Sequence, residues 1–205
     1  MGLKLKVKVS EVTNLSDARY CAGMGVEMIG FHLDENHPRF VELSTVREIT
    51  NWISGVDVVG EFTASNLENV NYLAEELNLT YVQLPLSFKP EELDILSKPI
   101  ILKLSLGEIS ENLLEETLIL YKPYVDYFLI ENTTSDSIVG LETTLAKWCQ
   151  TYPILLGFGI NVDQLDIIEN TLAPIGIALK GGDEIKPGLK NFDELSEILE
   201  ALEID

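Results

Sequence analysis

Two glycine-bearing stretches lie close together near the C-terminus: Gly157-Phe158-Gly159-Ile160-Asn161, and Lys180-Gly181-Gly182-Asp183. Residues of this kind suit an anion. Glycine lets backbone N–H groups approach a phosphate closely, a following helix N-terminus adds a favourable dipole, and Lys180 adds a cation. The same glycines would also serve as plain tight turns, so both readings stand. A second window is Gly30-Phe31-His32-Leu33, followed by His37-Pro38-Arg39-Phe40. An arginine just past a strand can clamp a carboxylate through two parallel N–H bonds, or simply be solvated.

Something must position these windows, and the pattern of the chain says what. Eight short strand-like runs alternate with eight helical stretches, one unit about every 25 residues. The runs are Lys4–Val9, Met28–Leu33, Asp57–Phe62, Tyr81–Leu84, Ile100–Leu104, Tyr127–Ile130, Ile154–Leu156 and Ile175–Leu179. Ser16 and Ser44 read as N-caps of the first two helices, Pro85 as the stop of strand four, and Pro90 as the first turn of a short helix. Strict strand-then-helix order implies a parallel sheet. The expectation is an α/β chain, a single (β/α)8 TIM barrel over residues 1–205, with its chemistry at the C-terminal ends of the strands. An open doubly wound sheet would usually carry GxGxxG after strand one; here Ser10-Glu11-Val12-Thr13 follows it.

Composition narrows the partners. With 34 acidic and 14 basic residues the formal charge is −20, so nucleic acid and anionic lipid are poor partners. No run reaches the roughly 18 apolar residues of a membrane span, and the N-terminus lacks an apolar signal core. Cys21 and Cys149, far apart, read as reduced core thiols of a cytoplasmic protein. Neither a metal nor a cofactor is expected; the expected partner is a phosphorylated small molecule, and the chain is expected to be a monomer or homodimer.

Taken in order, several stretches resemble phosphoribosylanthranilate isomerase. They are Val12-Thr13-Asn14-Leu15-Ser16-Asp17-Ala18, Gly25 through Phe31, Pro38-Arg39-Phe40-Val41, Val82-Gln83-Leu84, Phe128-Leu129-Ile130-Glu131, Gly159-Ile160-Asn161-Val162 and Pro187-Gly188-Leu189-Lys190-Asn191. The resemblance covers essentially the whole chain. It implies an Amadori rearrangement of a phosphorylated aminoaldose in tryptophan biosynthesis, with an acid to open the furanose ring and a base to remove the C2′ proton. By the same resemblance Arg39 would face the anthranilate carboxylate, Gln83 would touch substrate, and Gly159, Lys180, Gly181 and Gly182 would hold the phosphate.

The chain departs from the family at the reacting groups. The family's basic cysteine, in an Ile-Cys-Gly-Ile-Thr-like strand, is Ser10 here, and its strand-six aspartate is Glu131. An unassisted hydroxyl is a far weaker base than a thiol, and the extra methylene of glutamate shifts the acid. The family's His-Gly after Val-Gln-Leu reads Pro85-Leu86, its glycine-rich loop after strand six reads Asn132 to Asp136, and its strand-eight aspartate is matched by Ala178. Three functions follow as alternatives: an isomerase using Glu131 with Ser10 or Glu11 as base; an inactive relative that binds a phosphorylated ligand or a protein; or a barrel enzyme acting on another phosphosugar. Glu11 alternates with Ser10, so a regular strand would turn it away from the mouth unless the strand ended or bulged there.

Overall fold

Runs such as Ile154–Leu156 have no polar face, and strands of that kind need cover on both sides. A closed parallel barrel supplies it. In the computed structural model, which describes residues 2–180, 184–186, 189–190 and 192–204 (the backbone alone for 184–186 and 189–190), eight strands pair in sequence order and β8 returns to β1. They are β1 Lys6–Ser10, β2 Met28–His32, β3 Asp57–Glu61, β4 Tyr81–Pro85, β5 Ile100–Leu106, β6 Tyr127–Asn132, β7 Ile154–Leu156 and β8 Gly176–Lys180. A short antiparallel pair, β9 Glu184–Lys186 with β10 Leu189–Lys190, follows β8.

The outer layer is α1 Leu15–Gly23, α2 Leu43–Trp52, α3 Leu67–Glu76, α4 Glu111–Tyr121, α5 Glu142–Thr151, α6 Leu165–Ile167 and α7 Asp193–Ala201. The fourth outer position is a 3₁₀ turn, Pro90–Ile95. Around α6 the helix is pieced together, with a 3₁₀ turn before it and a π-helical stretch, Ile168–Leu172, after it. Among the described residues no helix is long and apolar enough to cross a membrane.

Some local expectations are corrected. Asn14, not Ser16, caps α1, its side chain accepting the Asp17 N–H. Ser44 lies inside α2, and the residue at that helix's cap, Glu42, makes no side-chain cap bond. β4 does end at Pro85, which is itself the strand's last residue, in register with Lys103, one position beyond the expected Leu84. A proline is tolerated at a strand end because it withholds only its own N–H.

Two apolar layers result. The larger core lies between barrel and helices, for example Val7, Val9, Ile29, Phe31 and Trp148. A smaller cluster fills the barrel itself: Met28, Val59, Ile101, Leu129, Leu155 and Ala178. Lys8 is in register with Met28 and Ala178, so it occupies the β1 place in that inner layer. The lysines of β1 alternate with valines, and the valines face the helices.

Candidate active site at the barrel mouth

Parallel neighbours in register point to the same side of a sheet. Above the inner apolar layer the inward positions are therefore Ser10 on β1, His32 on β2, Glu61 on β3, Gln83 on β4, Lys103 on β5, Glu131 on β6 and Lys180 on β8. His32, Glu61 and Gln83 are consecutive partners across β2, β3 and β4, and Ser10 is paired with Lys180. Three of the chain's 14 basic residues, Lys8, Lys103 and Lys180, thus lie in the lumen or mouth of a strongly acidic protein.

On the β1–β3 side four polar groups meet. The Lys8 ammonium, 0% exposed, donates to Ser10 Oγ at 2.6 Å and also to Glu61 Oε1. Ser10 hydrogen-bonds the Glu61 carboxylate in turn. Glu61 Oε2 accepts the Glu11 N–H at 3.3 Å and lies 3.4 Å from His32 Nε2. The carboxylate reaches Lys8 by crossing over Gly30, where an added Cβ would be 2.2 Å from Glu61 Oε1. Glycine is needed there for close approach. Burial by itself would raise the Glu61 carboxyl, but Lys8, His32 and the bond from Ser10 outweigh it and hold the group low. Burial pushes the His32 imidazole down, with Glu61 partly opposing. His32 stacks on His37, ring centroids 3.6 Å apart.

The strand ends at Ser10, and Glu11 takes φ +60°. That left-handed turn swings its side chain to the rim, where Glu11 Oε2 lies 3.6 Å from Arg39 Nε. Glu11 thus holds a left-handed backbone conformation of the kind that favours glycine. Arg39 therefore faces a carboxylate of its own chain.

On the opposite side Glu131 is held between two lysines, with Oε2 2.9 Å from Lys103 Nζ and Oε1 3.7 Å from Lys180 Nζ. A cleft of about 570 Å³ opens here, lined among others by Glu131, Asp136, Gly157, Ala178 and Lys180. Gly159 has φ +66°, and its N–H donates to Asp136 Oδ1 at 2.6 Å. Ile138 packs over it, so that a Cβ at Gly159 would lie 2.7 Å from Ile138 Cγ2. A carboxylate of the β6–α5 loop thus occupies the donor expected to meet phosphate.

The mouth gathers Ser10, Gln83, Glu131 and Lys180 as inward groups, with Glu11 and Arg39 at the rim beside Ser10. Gly181 and Gly182 lie outside the described residues. Sequence reasoning assigned no role to Lys8, Glu61, Lys103 and Asp136, and named His32 only as part of the strand-two window. A signal existed for three of them: a charge inside an apolar strand, as in Lys-Val-Lys-Val, Val-Val-Gly-Glu or Ile-Ile-Leu-Lys, has the lumen as its one sheltered destination. Neither cysteine replaces the absent thiol base. Cys21 is buried on α1, and burial pushes the Cys149 thiol on α5 up to about 12, so it is inert.

Comparison with known proteins agrees with the architecture. The family model described as N-(5'-phosphoribosyl)anthranilate (PRA) isomerase matches residues 7–201. The N-(5'-phosphoribosyl)anthranilate isomerase of Synechococcus sp. strain JA-3-3Ab is 29% identical over 98% of this chain and 92% of its own length. That of Petrotoga mobilis is 27% identical, covering 97% of each. Among solved structures, phosphoribosylanthranilate isomerase from Thermotoga maritima superposes with a TM-score of 0.79 at 21% identity, over 97% of this chain and 98% of that one. A structure of a phosphoribosyl anthranilate isomerase in complex with reduced 1-(o-carboxyphenylamino)-1-deoxyribulose 5-phosphate gives a TM-score of 0.80 at 21% identity, over 97% of this chain and 98% of that one.

Proposed function

We propose that this chain, which belongs to the N-(5'-phosphoribosyl)anthranilate isomerase family, holds a phosphorylated sugar across its barrel mouth and is an isomerase of the tryptophan-biosynthetic type with a weakened acid–base pair. The observation that carries the reading is the lysine-lined mouth of a chain whose net charge is −20. Lysines drawn inward against that charge suit an anionic ligand. The relative solved with a phosphorylated ligand makes a sugar phosphate the natural candidate.

The chemistry follows from the partners of each group. In the Amadori rearrangement the open-chain protonated imine loses its C2′ proton, and the C–H pair becomes the C1′–C2′ double bond as the C=N π pair moves onto nitrogen. The enol O–H proton then leaves, its pair forming the C2′ carbonyl while the C1′–C2′ π pair takes up a proton at C1′. Ser10, at the position of the base, is a neutral hydroxyl that already accepts from Lys8. Glu131, at the position of the acid, sits in two salt bridges, and a salt-bridged carboxylate accepts hydrogen bonds but donates none. A positioned acid or base contributes about 10²–10⁴-fold, so altering both leaves a rate at least about a hundredfold below an intact family member. A coupled fluorescence assay of phosphoribosylanthranilate conversion checks this, together with a phosphate titration followed at Lys103 and Lys180 by NMR. A rate equal to that of intact relatives overturns the weakened pair. Lysine signals that ignore millimolar phosphate overturn the ligand class.

A further inference from the structure

Opening the furanose needs a proton delivered to its ring oxygen. Glu131, the residue at the acid's position, is engaged on both oxygens by lysines. The other titratable groups of the mouth are no better placed. Glu61 is 1% exposed and taken up by Lys8, Ser10 and the Glu11 N–H. Burial pushes the His32 imidazole down, and its Nε2 faces Glu61. Asp136 accepts from the Gly159 N–H. Arg39 pairs with Glu11, and a guanidinium does not surrender its proton. Lys8 is 0% exposed and out of a ligand's reach. Among these inward and rim groups, Lys103 and Lys180 are left as donors.

Lys103 is the better held of the two. Its Nζ is 2.9 Å from Glu131 Oε2, an ordinary hydrogen-bond length, whereas Lys180 stands 3.7 Å from Oε1 with its side chain 57% exposed. The Lys103 side chain is 35% exposed, so it is anchored yet open to a ligand. An ammonium has three N–H donors, and Glu131 takes one. β5 lies half-way round the eight-stranded ring from β1, so Lys103 faces Ser10, the residue at the base's position, across the mouth. Behind burial and His37, the Lys103 charge also helps push His32 down, so the ammonium is felt as far round as β2.

We propose that Lys103 is the catalytic acid of the ring-opening step and that Glu131 is its positioning residue. The assignment rests on the isomerase reading above and adds the proton donor to it. The Lys103 ammonium passes a proton to the furanose O4′ as the C1′–O4′ bond breaks. That bond's pair stays on oxygen, and the amino nitrogen's pair closes the C1′=N bond. The neutral amine left on Lys103 later takes the enol O–H proton as the C2′ carbonyl forms, which restores the ammonium. The base takes one proton from C2′ and one is returned to C1′, so the count closes. An ammonium is a weaker acid than a carboxylic acid, in keeping with a slow enzyme.

Variants in the coupled fluorescence assay separate the roles. Lys103→Gln keeps an N–H for Glu131 but has no proton to give; it should lose about a hundredfold in kcat, with KM within about threefold of the parent. Glu131→Gln, which loosens the lysine without removing its proton, should lose no more than about tenfold in kcat. Lys180→Met should act mainly on KM. In Lys103→Ala, which opens room beside Glu131, added methylammonium should restore activity in a concentration-dependent way, as a purely structural role would not allow. Circular dichroism melts check that each variant folds, and Glu131→Gln decides the matter with Lys103 intact if the Lys103 variants do not. Lys103→Gln with the parent's kcat, a kcat loss of about a hundredfold in Glu131→Gln, or a loss of that size confined to Lys180→Met overturns the assignment and leaves the isomerase reading in place. A parent that converts no phosphoribosylanthranilate overturns the isomerase reading and this assignment with it.

Discussion

Replacing Lys8 by methionine tests whether the buried cluster is held together as described. Lys8 and Glu61 are 0% and 1% exposed at their side chains and answer each other's charge inside the barrel. Removing the lysine strands the carboxylate in the lumen with a weakly donating neighbourhood. Breaking a buried pair from one side costs about 3–5 kcal/mol, because an uncompensated charge remains. For 205 residues the unfolding entropy is about 0.4 kcal/mol per degree near the midpoint, so Tm should fall by about 7–12 °C. The double variant, Lys8→Met with Glu61→Leu, removes both charges and extends the inner apolar layer. It should recover to within about 1 kcal/mol of the parent or exceed it. A pH series sharpens the test. In Lys8→Met the stranded carboxyl prefers its protonated form in the folded state. The deficit is therefore small at low pH and grows as pH rises through and above the ordinary carboxylate range. Differential scanning calorimetry of the three proteins between pH 5 and 8 measures all of this. The reasoning is refuted if Lys8→Met melts within about 2 °C of the parent, or if the double variant is no more stable than the single one.

Three further outcomes are expected. The parent's stability should decline as pH falls below about 6.5, because the buried His32 takes a proton less readily folded than unfolded and the unfolded chain binds it first; His32→Gln should remove that first step in thermal melts, and an unchanged profile would exonerate His32. Ala173 ends the π-helical stretch at φ +47° with an exposed side chain, so Ala173→Gly should relieve about 1 kcal/mol and raise Tm by about 2 °C, whereas a lower Tm would contradict the strain. Asp136→Ala should strengthen phosphate binding about tenfold by vacating the Gly159 N–H; Glu194→Gln, which lines the same cleft, controls for the local field, and an equal gain there would mean that charge rather than occupancy governs the site.

Periodicity made the barrel legible from the sequence. Each strand–helix unit is a local pattern of apolar spacing, and eight such units with short connections leave a closed parallel sheet as the economical solution. The order of the windows along the chain then put Ser10, Glu131 and the Gly159 loop at one rim, since each follows or ends a strand. Cap identities were less legible. Asn14 and Ser16 are both good capping residues two positions apart, and only the backbone path past β1 selects Asn14. The electrostatics of the mouth required the tertiary structure. Lys8 and Glu61 are separated by 53 residues, and Gly159 and Asp136 by 23. They meet because barrel closure fixes which face of each strand points inward and how far neighbouring strands are staggered. Gly30 reads as an ordinary strand glycine until Glu61 is found lying across it. Glu11 reads as facing away until the strand is seen to end one residue earlier. The sequence names the groups that could do chemistry by their type and place in the unit. Which charge answers which depends on distances of a few ångströms across the lumen, and local spacing does not encode them.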